Sequence, residues 1–250
     1  MAPGRLGLEG KIALVTGGTR GLGLAIAHKL ASCGCEILLN YAGSGEQAEK
    51  AVAALGEHGG TVTPVRADVG TPEGVATLLR ELRHRHGRLD VFVHNAANYT
   101  PMPALAPDPG GAWRDLSVAL NPLLHGAPAL AELMPRGGRI IAVSSTGAHD
   151  VVPGYVALGM AKAALESQVR YLAVELAEHG ITVNAVSTAK LDKGDSPPPP
   201  AVALLAARTP AGRLTVPEDV ADVVALLCAP EAAWVQGQVI RADGGLGLRA

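Results

Sequence analysis

The sequence predicts a single-domain α/β protein: one doubly wound parallel sheet of about seven strands with helices on both faces. Three observations point there. Short apolar runs of strand type alternate with helical periods from end to end. No linker-like stretch divides the 250 residues, so 1–250 reads as one unit. Apolar residues make up 48% against 18% charged, which is ample material to bury both faces of a sheet. Strands joined through helices pair in parallel by right-handed crossovers.

Taken in order, Ile12–Thr16 is a continuous apolar run, the mark of a strand covered on both faces. A helical pattern follows from Leu22 to Ser32, then a strand at Glu36–Asn40. Ser44 is placed to cap a helix over Glu46–His58. Thr61–Arg66 reads as the third strand, Pro72–His86 as a helix, and Leu89–His94 and Arg139–Ser144 as strands four and five. A long helix is expected from near Tyr155 to His179, then a strand at Ile181–Val186. Pro217–Leu227 completes the helices and Gln238–Arg241 the strands. Two stretches break the rhythm. Tyr99–Gly111 carries four prolines, and Ser187–Pro200 ends in a four-proline run that should be extended. Both follow the carboxyl ends of strands, where such sheets bind ligands, so the segments near 98–111 and 187–210 are expected to wall a substrate cleft.

Composition excludes several classes. Net charge is −2 with no basic stripe, which argues against nucleic acid. No apolar run is long enough to span a bilayer, and the first ten residues lack a signal-peptide core, so a cytoplasmic protein is expected. Three cysteines give no disulfide framework, and Cys33, Cys35, His84 and His86 lack a convincing metal set. Aromatics are 3% of the chain, so each tyrosine merits separate attention.

The segment Thr16-Gly17-Gly18-Thr19-Arg20-Gly21-Leu22-Gly23 follows the first strand and opens the first helix. Gly17 permits the tight turn, Gly21 the close approach of a pyrophosphate, and Gly23 close helix–strand packing; the helix N-terminus then stabilises phosphate. The context fits a dinucleotide rather than a nucleoside triphosphate, since no Gly-Lys-Ser/Thr ending is present. An NAD site usually places an acid at the end of strand two to hold the ribose diol. Here Asn40 stands there, no acid occurs in Ile37–Gly45, and Arg20 can pair with a 2′-phosphate. NADPH (NADP) is the expected cofactor.

These residues resemble the short-chain dehydrogenase/reductase family, which has a Rossmann-type fold, and the resemblance covers nearly the whole chain. Thr16–Gly23 matches its glycine motif, and Asp68-Val69 the acid and following residue near the adenine. Asn95-Ala96-Ala97 matches its Asn-Ala-Gly motif except for Ala97. Asn121 stands where the family keeps a helical asparagine associated with a proton-relay water, although Pro122 and Pro128 disfavour helix there. Thr188-Ala189 replaces the Pro-Gly that usually follows strand six, leaving Thr188 as a cofactor contact. Ser145, Tyr155 and Lys162 supply the catalytic side-chain types. The resemblance also implies a homodimer or homotetramer.

Spacing sets this chain apart. Ser145 lies seventeen residues before Lys162, as in the family, but the usual tyrosine position four before Lys162 is Leu158. The tyrosine is Tyr155, giving Tyr-x6-Lys, as in type III enoyl-acyl carrier protein reductases. Four helical positions separate two side chains by about 40° and a rise of about 6 Å; seven separate them by about 20° and about 10.5 Å. Tyr155 thus faces the same cleft from farther away. That suits the carbonyl oxygen of an enoyl thioester, two bonds from the carbon that accepts hydride, and a cation near the phenol would help tune it. In the resemblance Lys162 binds the nicotinamide ribose. The leading expectation is an NADPH-dependent enoyl-thioester reductase of fatty-acid or polyketide biosynthesis, acting on a small-molecule or carrier-bound thioester. Ketone reduction through Tyr155 and Ser145 stays open, as does a non-catalytic NADPH-binding regulator. His149 and Asp150 precede Tyr155 in a loop, where contact with substrate stays open beside the expected reading as solvated residues.

Overall fold

The computed structural model describes residues 6–192, 194 and 200–248. Strands β1 (Ile12–Val15), β2 (Glu36–Tyr41), β3 (Val62–Arg66), β4 (Val91–His94), β5 (Arg139–Ser145), β6 (Thr182–Thr188) and β7 (Val239–Arg241) form one sheet. Their order is β3-β2-β1-β4-β5-β6-β7, every pair parallel. The chain winds outward from β1 in one direction and from β4 in the other, so the topological switch lies between them.

Eight helices are found among the described residues: α1 (Gly21–Ser32), α2 (Gly45–Gly56), α3 (Pro72–His86), α4 (Pro109–Leu124), α5 (Ala127–Leu133), α6 (Val156–Glu175), α7 (Pro200–Arg208) and α8 (Pro217–Cys228). Alternation along each strand divides the core in two. Ile12 and Leu14 of β1 join the core under α3, α4, α5 and α6, whereas Ala13 and Val15 join the core under α1, α2 and α8. Side chains on both faces are mostly aliphatic, with Phe92 the one aromatic ring in the two described core clusters. Among the described residues no helix is long and apolar enough to cross a membrane.

Three expectations need correction. The prolines after strand four do not abolish helix there: α4 runs through Pro122. Pro122 forfeits one backbone bond, but neighbouring elements tie the helix down beside it. His94 Nε2 bonds the Ala119 carbonyl at 2.9 Å and Gln168 Nε2 bonds the Leu120 carbonyl at 3.5 Å. Pro128 sits in the first turn of α5, where its missing N–H costs nothing. The segment 187–210 is not all loop, because Pro200–Arg208 forms α7. Its run of Ala and Leu after a leading proline has high helix propensity; Pro197, Pro198 and Pro199 lie outside the described residues. The long helix α6 ends at Glu175 rather than His179. Beyond it the chain tightens into i→i−3 bonds, Ala177 to Val174 and Gly180 to Ala177, before Gly180 turns at φ +71°.

Candidate active site

At the carboxyl ends of β1, β2, β3 and β4 lies a cleft of about 810 Å³. Its floor is the glycine turn. Gly17 and Gly21 adopt φ +62° and +51°, conformations costly for side chains. A Cβ on Gly23 would sit 2.2 Å from the Gly17 carbonyl oxygen, whereas one on Gly21 would meet nothing within 4 Å and would protrude into the cleft. Helix α1 begins without a side-chain cap and without an acid in its first turn. Its free N–H groups therefore offer an anion site that neither a side-chain cap nor a first-turn acid fills. This cradle fits a dinucleotide pyrophosphate.

The turn is held by the end of β4. Asn95 Nδ2 donates to the carbonyls of Thr16 (3.1 Å) and Gly17 (3.2 Å). Thr16 Oγ1 accepts from the N–H groups of Asn95 and Ala96, both at 3.0 Å, so its own proton goes to His94 Nδ1, also 3.0 Å away. That fixes the tautomer, with Nε2–H donating to the Ala119 carbonyl. Burial and then the nearby Lys162 push His94 down to about 3, so it works as a neutral link between β1 and α4.

Gly17, Thr19, Arg20, Gly21, Leu22, Gly23, Asn40, Asp68, Val69, Asn95, Ala96 and Ala97 all line this cleft. Asn40 does so with its side chain turned inward: Nδ2 donates to the carbonyls of Val65 and Ala67. The outer rim beyond it is Tyr41, Ala42, Gly43 and Ser44, with Gln47 and Arg114 nearby. Sequence reasoning missed these. Strand β2 is one residue longer than its apolar pattern suggests, and Arg114 reaches the cleft only through the placement of α4. Asp68 Oδ1 accepts from the Gly70 N–H at 3.0 Å and shapes the turn after β3. Thr188 is not among the lining residues; its hydroxyl donates to the Ala242 carbonyl at 2.9 Å. Asn121 also stands back, with Nδ2 donating to the Gly70 carbonyl at 2.7 Å.

Beside β5 and the start of α6 lies a second cleft of about 550 Å³. Met102, Ala104, Val151, Val152 and Met160 make it largely apolar, and Tyr155 lines it. Tyr155 is the residue preceding α6, and its carbonyl accepts the first helical bond from Gly159 at 2.7 Å. Its ring lies over Gly147, where a Cβ would approach two ring carbons to 2.6 Å. Tyr99 packs against the other side at a centroid distance of 5.5 Å. Leu158, at the alternative position, is buried in a cluster with Ala119 and Ala161.

Burial pushes the Tyr155 phenol above its usual range; Ser145 pulls it back through a side-chain hydrogen bond, while Tyr99 and Asp115 add to the rise. Burial dominates, so the group is suited to remain a protonated donor. Lys162 is buried, with Nζ donating to the Val143 carbonyl at 2.6 Å. Burial lowers it to about 8 against the opposing pull of Glu166. The segment after β4 is anchored by the buried Asp115, which accepts from Asn98 Nδ2 (2.7 Å), the Thr100 N–H (3.0 Å) and Thr100 Oγ1 (3.0 Å).

A glycine cradle at the sheet switch, beside a tyrosine, serine and lysine on β5 and α6, defines a nicotinamide-dinucleotide oxidoreductase. The chain belongs to the short-chain dehydrogenase/reductase family: the family profile described as enoyl-(acyl carrier protein) reductase matches residues 17–247. A Streptomyces collinus protein named 1-cyclohexenylcarbonyl-CoA reductase is 39% identical, over 96% of this chain and 88% of its own. Hydroxynaphthalene reductase arp2 of Aspergillus fumigatus is 33% identical, over 93% and 91% respectively. Among solved structures, a Burkholderia cenocepacia short-chain dehydrogenase in complex with NADP superposes with TM-score 0.89 at 30% identity, covering 96% of this chain and 99% of that one. The angucycline C-6 ketoreductase LanV with bound NADP gives 0.88 at 34% identity, covering 96% and 97%.

Proposed function

We propose that this reductase uses NADPH to reduce the C=C bond of an enoyl thioester. The observation that carries the reading is the placement of Tyr155 seven residues before Lys162, with the buried Leu158 at the intervening family position. Among the described residues lining the apolar cleft, Tyr155 is the one phenol. The description of the matching family profile and the name of the Streptomyces relative support the same choice.

Bound NADPH supplies the hydride. The α1 N-terminus and the glycine turn would hold its pyrophosphate, and Arg20, which lines the same cleft as the 41–44 rim, would select the 2′-phosphate through a charge-assisted contact of ~1.5–3 kcal/mol. No acid stands at that rim; the nearest in sequence, Glu46, is paired with Lys50 at 2.7 Å. Lys162 spends one N–H on the Val143 carbonyl and keeps two for the nicotinamide ribose. Hydride delivered to the β-carbon of the substrate would place negative charge on the thioester carbonyl oxygen. Tyr155 donates its proton or hydrogen bond there, and Ser145 steadies the phenolate left behind. The walls from Met102, Val151, Val152 and Met160 take the acyl chain and exclude water.

The interaction of Ser145 with Tyr155 favours a second reading, reduction of a ketone held by both hydroxyls. The names of arp2 and LanV accord with it. NADPH oxidation with crotonyl-CoA, acetoacetyl-CoA and no substrate separates the two. Turnover of the enoyl thioester is expected; turnover confined to the ketoacyl thioester would replace the first reading with the second.

A further inference from the structure

One buried acid has no part in the chemistry above. Glu166 stands one turn beyond Lys162 on α6 and is 1% exposed. Its Oε1 accepts from Ser144 Oγ at 2.5 Å and its Oε2 from His149 Nε2 at 2.6 Å. Burying a carboxylate at this depth costs several kcal/mol unless it is paired. The inward neighbours Leu165 and Val169 show what the packing alone would select.

The register of the surrounding contacts gives the acid a role. Two consecutive residues of β5 receive two side chains from one face of α6: Val143 holds Lys162 and Ser144 holds Glu166. Glu166 then reaches past the strand to His149, whose half-exposed ring lines the same cleft as Tyr155. Residues 150–154 connect that imidazole directly to Tyr155. The carboxylate accepts Nε2–H in either protonation state of the ring, so the tautomer and the loop position are set together.

We propose that Glu166 is a positioning residue for the Tyr155–Lys162 pair: it is the buried counter-charge of Lys162 and, through His149, fixes the segment that delivers Tyr155. The inference rests on the reading of Tyr155 and Lys162 given above. Lys162 sits at about 8 because burial lowers it and Glu166 raises it. The other titratable groups around the pair are His94 on β4, Tyr99 after β4 and Asp115 on α4, both facing Tyr155, and Asp150 beside His149. None is an anion on α6 that could replace Glu166.

The test compares Glu166→Gln with wild type. Glutamine keeps the shape and an acceptor for Ser144 but carries no charge. The titration of the Lys162 side chain is followed by lysine-selective NMR in the cofactor-free protein, beside the pH profile of kcat. The Lys162 midpoint is expected to fall by about one pH unit, and the alkaline limb of kcat to fall with it. An unmoved midpoint overturns the counter-charge. A midpoint that moves while the kcat profile stays in place leaves the counter-charge standing and overturns the reading of Lys162 as catalytic. Should Glu166→Gln fail to fold, Glu166→Asp keeps the charge, and its Lys162 midpoint must stay with wild type. His149→Phe tests the tether: kcat is expected to drop about ten-fold with NADPH affinity unchanged, and His149→Gln, which restores an N–H donor, to recover most of it. Wild-type kcat in His149→Phe overturns that half.

Discussion

Replacing Lys162 by methionine tests the balance between stability and chemistry at the point where they conflict. Met has nearly the same length and no charge, so it fills the site without a cavity. The distance between the ordinary ammonium value of 10.5 and about 8 corresponds to about 3 kcal/mol that the folded state spends to keep Lys162 charged at neutral pH. Losing the bond to the Val143 carbonyl returns about 1 kcal/mol of that. The pull of Glu166 is already contained in that figure. Lys162→Met should therefore be more stable than wild type at pH 7 by about 1–2 kcal/mol, while turnover is lost. The sign reverses with alkali. The folded-state value lies below the unfolded one, so between about pH 8 and 10.5 the unfolded chain binds more protons and wild type gains stability as pH rises. Urea unfolding of both cofactor-free proteins across pH 7–10.5, taken as their difference, should show the advantage of Met shrinking by about 3 kcal/mol. A variant that is less stable at every pH by a constant amount would refute the argument.

Other expectations concern the two clefts. Tyr155→Phe should lower kcat by about 10²-fold or more with NADPH binding, read by nicotinamide fluorescence, left within about two-fold; full activity would remove Tyr155 from the chemistry. Arg20→Ala should cut the ratio of kcat/KM for NADPH over NADH by about 10–100-fold, and an unchanged ratio would transfer selection to the 41–44 rim. Gly147→Ala drives a methyl group into the Tyr155 ring, approaching two of its carbons to 2.6 Å. It should therefore depress kcat strongly and leave NADPH affinity alone, because Gly147 lines the second cleft and not the first.

The parts legible in the sequence are those where a local pattern and its physical cause coincide. Apolar runs such as Ile12–Val15 and Ile37–Leu39 announce strands because both faces are covered. The glycine turn is readable because its backbone angles admit little else. What escaped depends on contacts between distant residues. Asn121-Pro122 argues against helix until His94 and Gln168 arrive from β4 and α6 to hold it. The Ala- and Leu-rich run of α7 was overshadowed by the prolines before it. Lys162 and Glu166 look like an ordinary helical pair at i and i+4. Only the register of α6 against Val143 and Ser144 shows that both are sunk beneath the surface. The raised Tyr155 phenol likewise follows from how deeply the cleft encloses it, which no spacing reveals.

The latch from Asn95 to Thr16 and Gly17 separates two tasks within the dinucleotide cleft. The glycine turn is braced from β4, while the outer rim of the same cleft hangs from β2 and the approach to α2. On the NADPH reading proposed above, exchanging Tyr41 through Ser44, or Arg20, should change coenzyme preference without rebuilding the glycine turn. Selection acting on this chain would have had the same freedom, altering the coenzyme pool it draws on while conserving the machinery that grips it.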